Sequence, residues 1–132
     1  MINEKVMIRL RVGMEQSHYG GNLASGGFIM GLFSDVATEL LIRLDGDEGL
    51  FLRYDEVEFL APLHGGDYIE AYGWITDIGR TSRKMSFEAY RVIRYLNDAD
   101  QISAADVMDP PELFCRAKGI CVTPLPLQRP KK

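Results

Sequence analysis

Histidine and cysteine are scarce in this chain of 132 residues, with two of each: His18, His64, Cys115 and Cys121. No pair among them stands at metal-ligand spacing, which argues against a zinc site. The cysteines lie six residues apart in one strand-like segment. Extended chain holds their Cα atoms about 20 Å apart, beyond disulfide reach. Their even spacing puts both on one face, the pattern of buried free thiols. Basic charge is also short. Fifteen Lys and Arg against 19 Asp and Glu leave a net charge of −4. Nucleic acid is therefore not an expected partner, because phosphate binding wants a basic stripe. No apolar run is long enough to span a bilayer. The opening Met1-Ile2-Asn3-Glu4-Lys5 lacks the layout of a signal peptide. The expectation is a cytoplasmic protein with no membrane partner.

What is present reads as an ordinary globular chain, 46% apolar and 26% charged. One domain over 1–132 fits that length. Its core spans about residues 5–123, followed by a loosely ordered tail of about 124–132. Residues 6–12 alternate around Arg9 and Arg11, as a half-buried strand does. Residues 25–44 read as a helix capped by Ser25 and stopped near Gly46. Its first half, Gly26 to Phe33, carries no charge and is apolar on every side. Such a segment is normally buried all round. Four strand-like segments follow, at 50–60, 67–78, 82–95 and 113–123. Gly79-Arg80-Thr81-Ser82 is a hairpin connection between the second and third of them. Residues 96–112 form a long acidic connector with Pro110-Pro111. This order predicts an α+β layer in which a curved antiparallel sheet of about five strands wraps one long central helix. A single sheet leaves such a helix incompletely covered, so a homodimer, or a tetramer or hexamer built from dimers, is expected.

The pattern resembles the hotdog fold of acyl-CoA thioesterases. The residues that carry the likeness are Gly26-Gly27 opening the helix, Asp35 within it, Val57 to Asp67 after it, and Gly79 to Ser82 in the hairpin. Three further runs, His18-Tyr19-Gly20-Gly21-Asn22-Leu23, Asp35 to Leu40 and Leu50 to Tyr54, are similar to the 3-aminoacyl-CoA ammonia-lyases of that superfamily. The likeness covers about residues 5–123. It implies a carbon–nitrogen lyase that removes ammonia reversibly from a short 3-aminoacyl-CoA, as in lysine fermentation. 3-Aminobutyryl-CoA would give crotonyl-CoA, and β-alanyl-CoA would give acryloyl-CoA. No separate cofactor is implied, since CoA is part of the substrate.

The residues suit that chemistry. A base must take the α-proton, and donors must hold the enolate-like thioester oxygen. The first amides of a helix lack intrahelical partners and sit at the positive end of its dipole. Gly26 and Gly27 let a thioester oxygen approach those amides closely; the competing reading is tight packing of the helix start. Asp35 and Glu39, at i and i+4, share a helix face and repel, so they are no helix-stabilising pair. They are the base candidates, against a solvated outer face continued by Ser34, Thr38 and Arg43. Register against the related thioesterases leaves Ser34 and Asp35 as alternatives for the acidic position. Glu58 faces away from the helix if Val57 and Phe59 face it, and Glu56 shares that outward side. His18 stands in the loop before the helix, where it could carry a proton. Tyr19 and Asn22 beside it could orient the thioester or amine. Arg80, Ser82 and Arg83 at the hairpin are the expected contacts for CoA phosphates. His64 reads as structural. An acyl-CoA thioesterase using Asp35, and a non-catalytic acyl-CoA-binding module, remain alternatives.

Overall fold

Period-two alternation builds the middle of the sheet. In the computed structural model, which describes residues 1–13, 15 and 23–129, the elements run in a fixed order. Strand β1 (Val6–Arg11) is followed by helix α1 (Gly26–Asp45) and strands β2 (Leu50–Phe59), β3 (Tyr68–Ile78), β4 (Ser82–Tyr95) and β5 (Ala105–Val122). All five strands form one antiparallel sheet in the order β1-β3-β4-β5-β2. The expected α+β hotdog layering is thus present, with one long helix laid on a five-stranded sheet.

Along β3 and β4, Ile69, Ala71, Ile75, Met85, Phe87 and Ala89 point into the core. Strand β2 departs from this period. Register shifts between Phe51 and Arg53 and between Tyr54 and Glu56 mark bulges. Phe51, Tyr54 and Val57, three residues apart, therefore all pack on the core.

Helix α1 starts where the Ser25 hydroxyl accepts the Phe28 amide at 3.3 Å. It stops at Gly46, whose φ of 67° is the left-handed conformation that glycine adopts without strain. Ile29, Phe33, Val36, Leu40 and Leu41 form its buried stripe. Phe33 stacks on Phe87 with ring centroids 5.2 Å apart. Gly73 allows the helix to come this close, because a Cβ there would lie 2.6 Å from a Val36 methyl.

Within one chain α1 is left partly uncovered, as expected of a single sheet: Gly27, Gly31 and Asp35 are exposed. Two expectations are corrected. The acidic connector is mostly strand. Pairing of β4 with β5 begins at Tyr95 and Ala105, and only 96–104 turn the chain. Pro110 and Pro111, which lack amides for a ladder, fall in the stretch between Val107 and Glu112 that bulges opposite Val92. The tail is tied down as far as Arg129. The Gln128 amide donates to the Arg80 and Thr123 carbonyls at 2.8 and 2.9 Å, and the Arg129 backbone amide to the Asp45 carbonyl at 3.0 Å. Both cysteines are buried and unpaired, and burial pushes their thiols up to about 11 for Cys115 and about 12 for Cys121. Among the described residues, no helix is long and apolar enough to cross a membrane.

Candidate active site

The amino end of α1 is fixed by residues far away in the chain. Leu23 pairs with His64, and the Ala24 amide donates to the Leu63 carbonyl at 2.7 Å. That loop is in turn held by the fully buried carboxylate of Asp67. It accepts the His64 amide at 3.0 Å, the Tyr95 amide at 3.1 Å and the Arg91 guanidinium at 3.3 Å. Arg91 also bonds Glu112 and the Pro62 carbonyl. His64 is structural in this arrangement through its backbone, as the sequence suggested.

Ser25 takes the amide of the third helical residue, which leaves the Gly26 and Gly27 amides outside the helical ladder. The two glycines differ. A Cβ on Gly26 would lie 2.9 Å from the tip of the Phe59 ring, so that exposed ring would have to shift. Gly27 is exposed, and a Cβ there would meet nothing closer than the Ser25 hydroxyl at 3.9 Å. An apolar cavity of about 270 Å³ opens beside this end, between Ile29, Phe59, Leu63 and Phe114.

Gly27, Gly31 and Asp35 follow at four-residue spacing along the outer face of α1. Among the described residues, the exposed Asp35 side chain has no hydrogen-bond or ion-pair partner. Glu39 instead pairs with Arg43 at 2.8 Å, a solvated i,i+4 bridge that binds it into the helix surface. Of the two base candidates, Asp35 is the carboxylate without a partner among the described residues. On its other flank, the Ser34 and Tyr54 hydroxyls both reach the Met30 carbonyl, at 3.0 and 2.9 Å, and lie 3.1 Å from each other. Burial raises the Tyr54 hydroxyl above its ordinary value, so it stays protonated.

The hairpin residues lie elsewhere. Arg83 is buried and grips Asp45, at the far end of α1, through two bonds of 2.9 Å. Its Nη1 is spent on the Gly79 and Ser82 carbonyls, so four of its five N–H bonds are used within the chain, and its burial keeps the group away from a phosphate. Ser82 closes the turn by accepting the Gly79 amide at 2.8 Å through its carbonyl. Arg80 is exposed. In one chain these residues are separated from Gly26 by the length of a 20-residue helix, about 30 Å. Glu58 pairs with Arg116 and Glu56 with Lys118 on the opposite face of the sheet, away from the helix. His18, Tyr19 and Asn22 lie outside the described residues. Among the described residues there is no group of three or more His, Cys, Asp and Glu that could hold a metal ion.

Sequence reasoning missed the Asp67–Arg91 anchor and the Ser34–Tyr54 pair. The three-residue spacing of Phe51, Tyr54 and Val57 was the available signal that Tyr54 faces inward.

The model of the thioesterase superfamily matches residues 21–95. A 3-aminobutyryl-CoA ammonia lyase of Acetoanaerobium sticklandii is 53% identical over 125 residues, covering 95% of this chain and 98% of that protein. The solved β-alanyl-CoA:ammonia lyase of Clostridium propionicum superposes with a TM-score of 0.94 at 37% identity, covering 100% of this chain and 94% of that one. A hexameric hotdog-fold thioesterase of Campylobacter jejuni shares the fold at 16% identity, with a TM-score of 0.73 and coverage of 95% and 88%.

Proposed function

The chain belongs to the thioesterase superfamily, and within it we propose that this protein is an ammonia-lyase, a carbon–nitrogen lyase acting reversibly on a short 3-aminoacyl-CoA such as 3-aminobutyryl-CoA or β-alanyl-CoA. The observation that carries this reading is the near full-length likeness to a 3-aminobutyryl-CoA ammonia lyase. The local geometry supplies the parts. The Gly26 and Gly27 amides stabilise the thioester oxygen as negative charge grows on it. Asp35 accepts the α-proton. The electron pair of that C–H bond becomes the Cα–Cβ double bond, the Cβ–N bond breaks, and the protonated amine leaves as neutral ammonia. The thioester itself acidifies the α-carbon, so no cofactor beyond the CoA of the substrate is needed. A CoA thioester substrate is consistent with a cytoplasmic enzyme.

Distance makes this a shared site. Gly27 and Asp35 are eight residues apart on one helix, about 12 Å along its axis. A thioester oxygen and its α-hydrogen are far closer than that. Two copies that face each other through the uncovered side of α1, with helices antiparallel, bring the Asp35 of each beside the Gly26-Gly27 of the other. The homodimer, alone or within a larger ring, is thus the catalytic unit.

The test uses crotonyl-CoA and ammonium. Loss of the enoyl-thioester absorbance that requires ammonium, without free thiol, is expected. Thiol release independent of ammonium would move the assignment to a thioesterase. Asp35→Asn is expected to lower the lyase rate by about 10² to 10⁴ while CoA binding persists.

A further inference from the structure

From the geometry beside Asp35 we infer that the hydroxyls of Ser34 and Tyr54 form the subsite for the substrate's nitrogen and determine that the group leaving or entering Cβ is an amine. This inference rests on the lyase reading.

The argument is a count of protons. The two hydroxyls own two protons between them. Both are used internally. Ser34 Oγ and the Tyr54 hydroxyl each donate to the Met30 carbonyl, at 3.0 and 2.9 Å, or one of them donates to the other across 3.1 Å. In each of these arrangements both protons stay inside the pair, and lone pairs face outward. The pair presents lone pairs only, and with Tyr54 held protonated by burial it does so as a neutral group.

An ammonium group is the complementary ligand, having three N–H donors and no acceptor. Incoming ammonia is complementary too, because its own lone pair must point at Cβ and leaves only N–H bonds for the protein. Water or a hydroxyl group would leave its second lone pair without a donor while both protons stay inside the pair. The position agrees with the chemistry. Ser34 precedes Asp35, so the base and the hydroxyl pair flank the open surface at Gly31, where a Cβ would meet nothing within 4 Å. A substrate whose α-hydrogen faces Asp35 carries its β-nitrogen one bond further on. Tyr54 reaches this place because the two bulges of β2 turn every third residue inward. Its ring is braced by Phe51 at a centroid distance of 4.3 Å.

The experiment measures initial rates of ammonia addition to crotonyl-CoA, with ammonium and crotonyl-CoA varied separately, for the unmodified protein, Tyr54→Phe and Ser34→Ala. Tyr54→Phe keeps the ring and removes only the oxygen. The expected result is an ammonium KM raised about tenfold or more in each variant, with the crotonyl-CoA KM within about twofold of the original. Melting curves identify any variant that fails to fold, in which case the other decides. An unchanged ammonium KM in folded variants overturns the inference while leaving the lyase reading intact. So does a rise shared equally by both substrates, which is what general damage to the site would give. Absence of any ammonium-dependent reaction in the unmodified protein overturns the lyase reading and the inference with it.

Discussion

Asp45 and Arg83 are charged residues with side chains only 6% and 4% exposed. Burial pushes the Asp45 carboxyl up, but the bonds from Arg83, the nearby Thr123 hydroxyl and the Arg83 charge together outweigh that and hold it below the ordinary 3.8. Breaking one side of such a pair strands a buried charge, so Arg83→Ala is expected to cost about 3–5 kcal/mol, read by urea denaturation at neutral pH. The sign of the pH dependence follows from the lowered value. The pair's contribution is complete above the carboxyl's unfolded value and is lost as pH falls through the lower, folded one. The denaturation midpoint of the unmodified protein should therefore drop on acidification more steeply than that of Asp45→Asn. The sequence placed Arg83 among phosphate contacts because it stands with Arg80 at a hairpin. Its true partner is 38 residues away, and nothing local announces it. Asp35 was legible as a base candidate, but its separation from Glu39 was not. Only the structure shows Glu39 spent on Arg43.

Helix α1 carries a test of what its opening glycines do. In a helix, alanine is favoured over glycine by about 1 kcal/mol, and the space beside Gly27 is open. Gly27→Ala should leave the melting temperature equal or higher, yet lower the rate if a thioester oxygen must reach that amide past the new methyl group. Gly26→Ala should stabilise less than Gly27→Ala, because the Phe59 ring must shift to admit the methyl group. If Gly27→Ala leaves the rate untouched, the oxyanion role falls. The helix, its cap and its stop were all readable, since they depend on neighbours within a turn. The strands were readable where they alternate. Strand β5 was half missed, because prolines and acidic residues argue against a ladder unless a bulge receives them, and that bulge is set by pairing with β4. The bulges of β2 were likewise invisible, being properties of its register with β5.

At the scale of the whole molecule, the proposed sharing of the site between Gly27 and Asp35 predicts a second copy against the uncovered side of α1. Sedimentation equilibrium is expected to give a dimer or a multiple of it. An active monomer would refute the shared site. The sheet order β1-β3-β4-β5-β2 has a further consequence, for how the chain finds its shape. The strands made first form the two edges, and their partners lie 67 residues on for Val6 and 72 for Leu50. The centre, β3 to β5, is a meander of neighbouring hairpins. Closing long loops costs entropy before any contact repays it, so the meander should be the part organised at the folding barrier. Conservative truncations such as Met85→Ala or Phe114→Leu are then expected to slow refolding in stopped-flow measurements. Ile8→Val and Val57→Ala should mainly speed unfolding. On this account the half of the chain that carries the chemistry is the last to take its place.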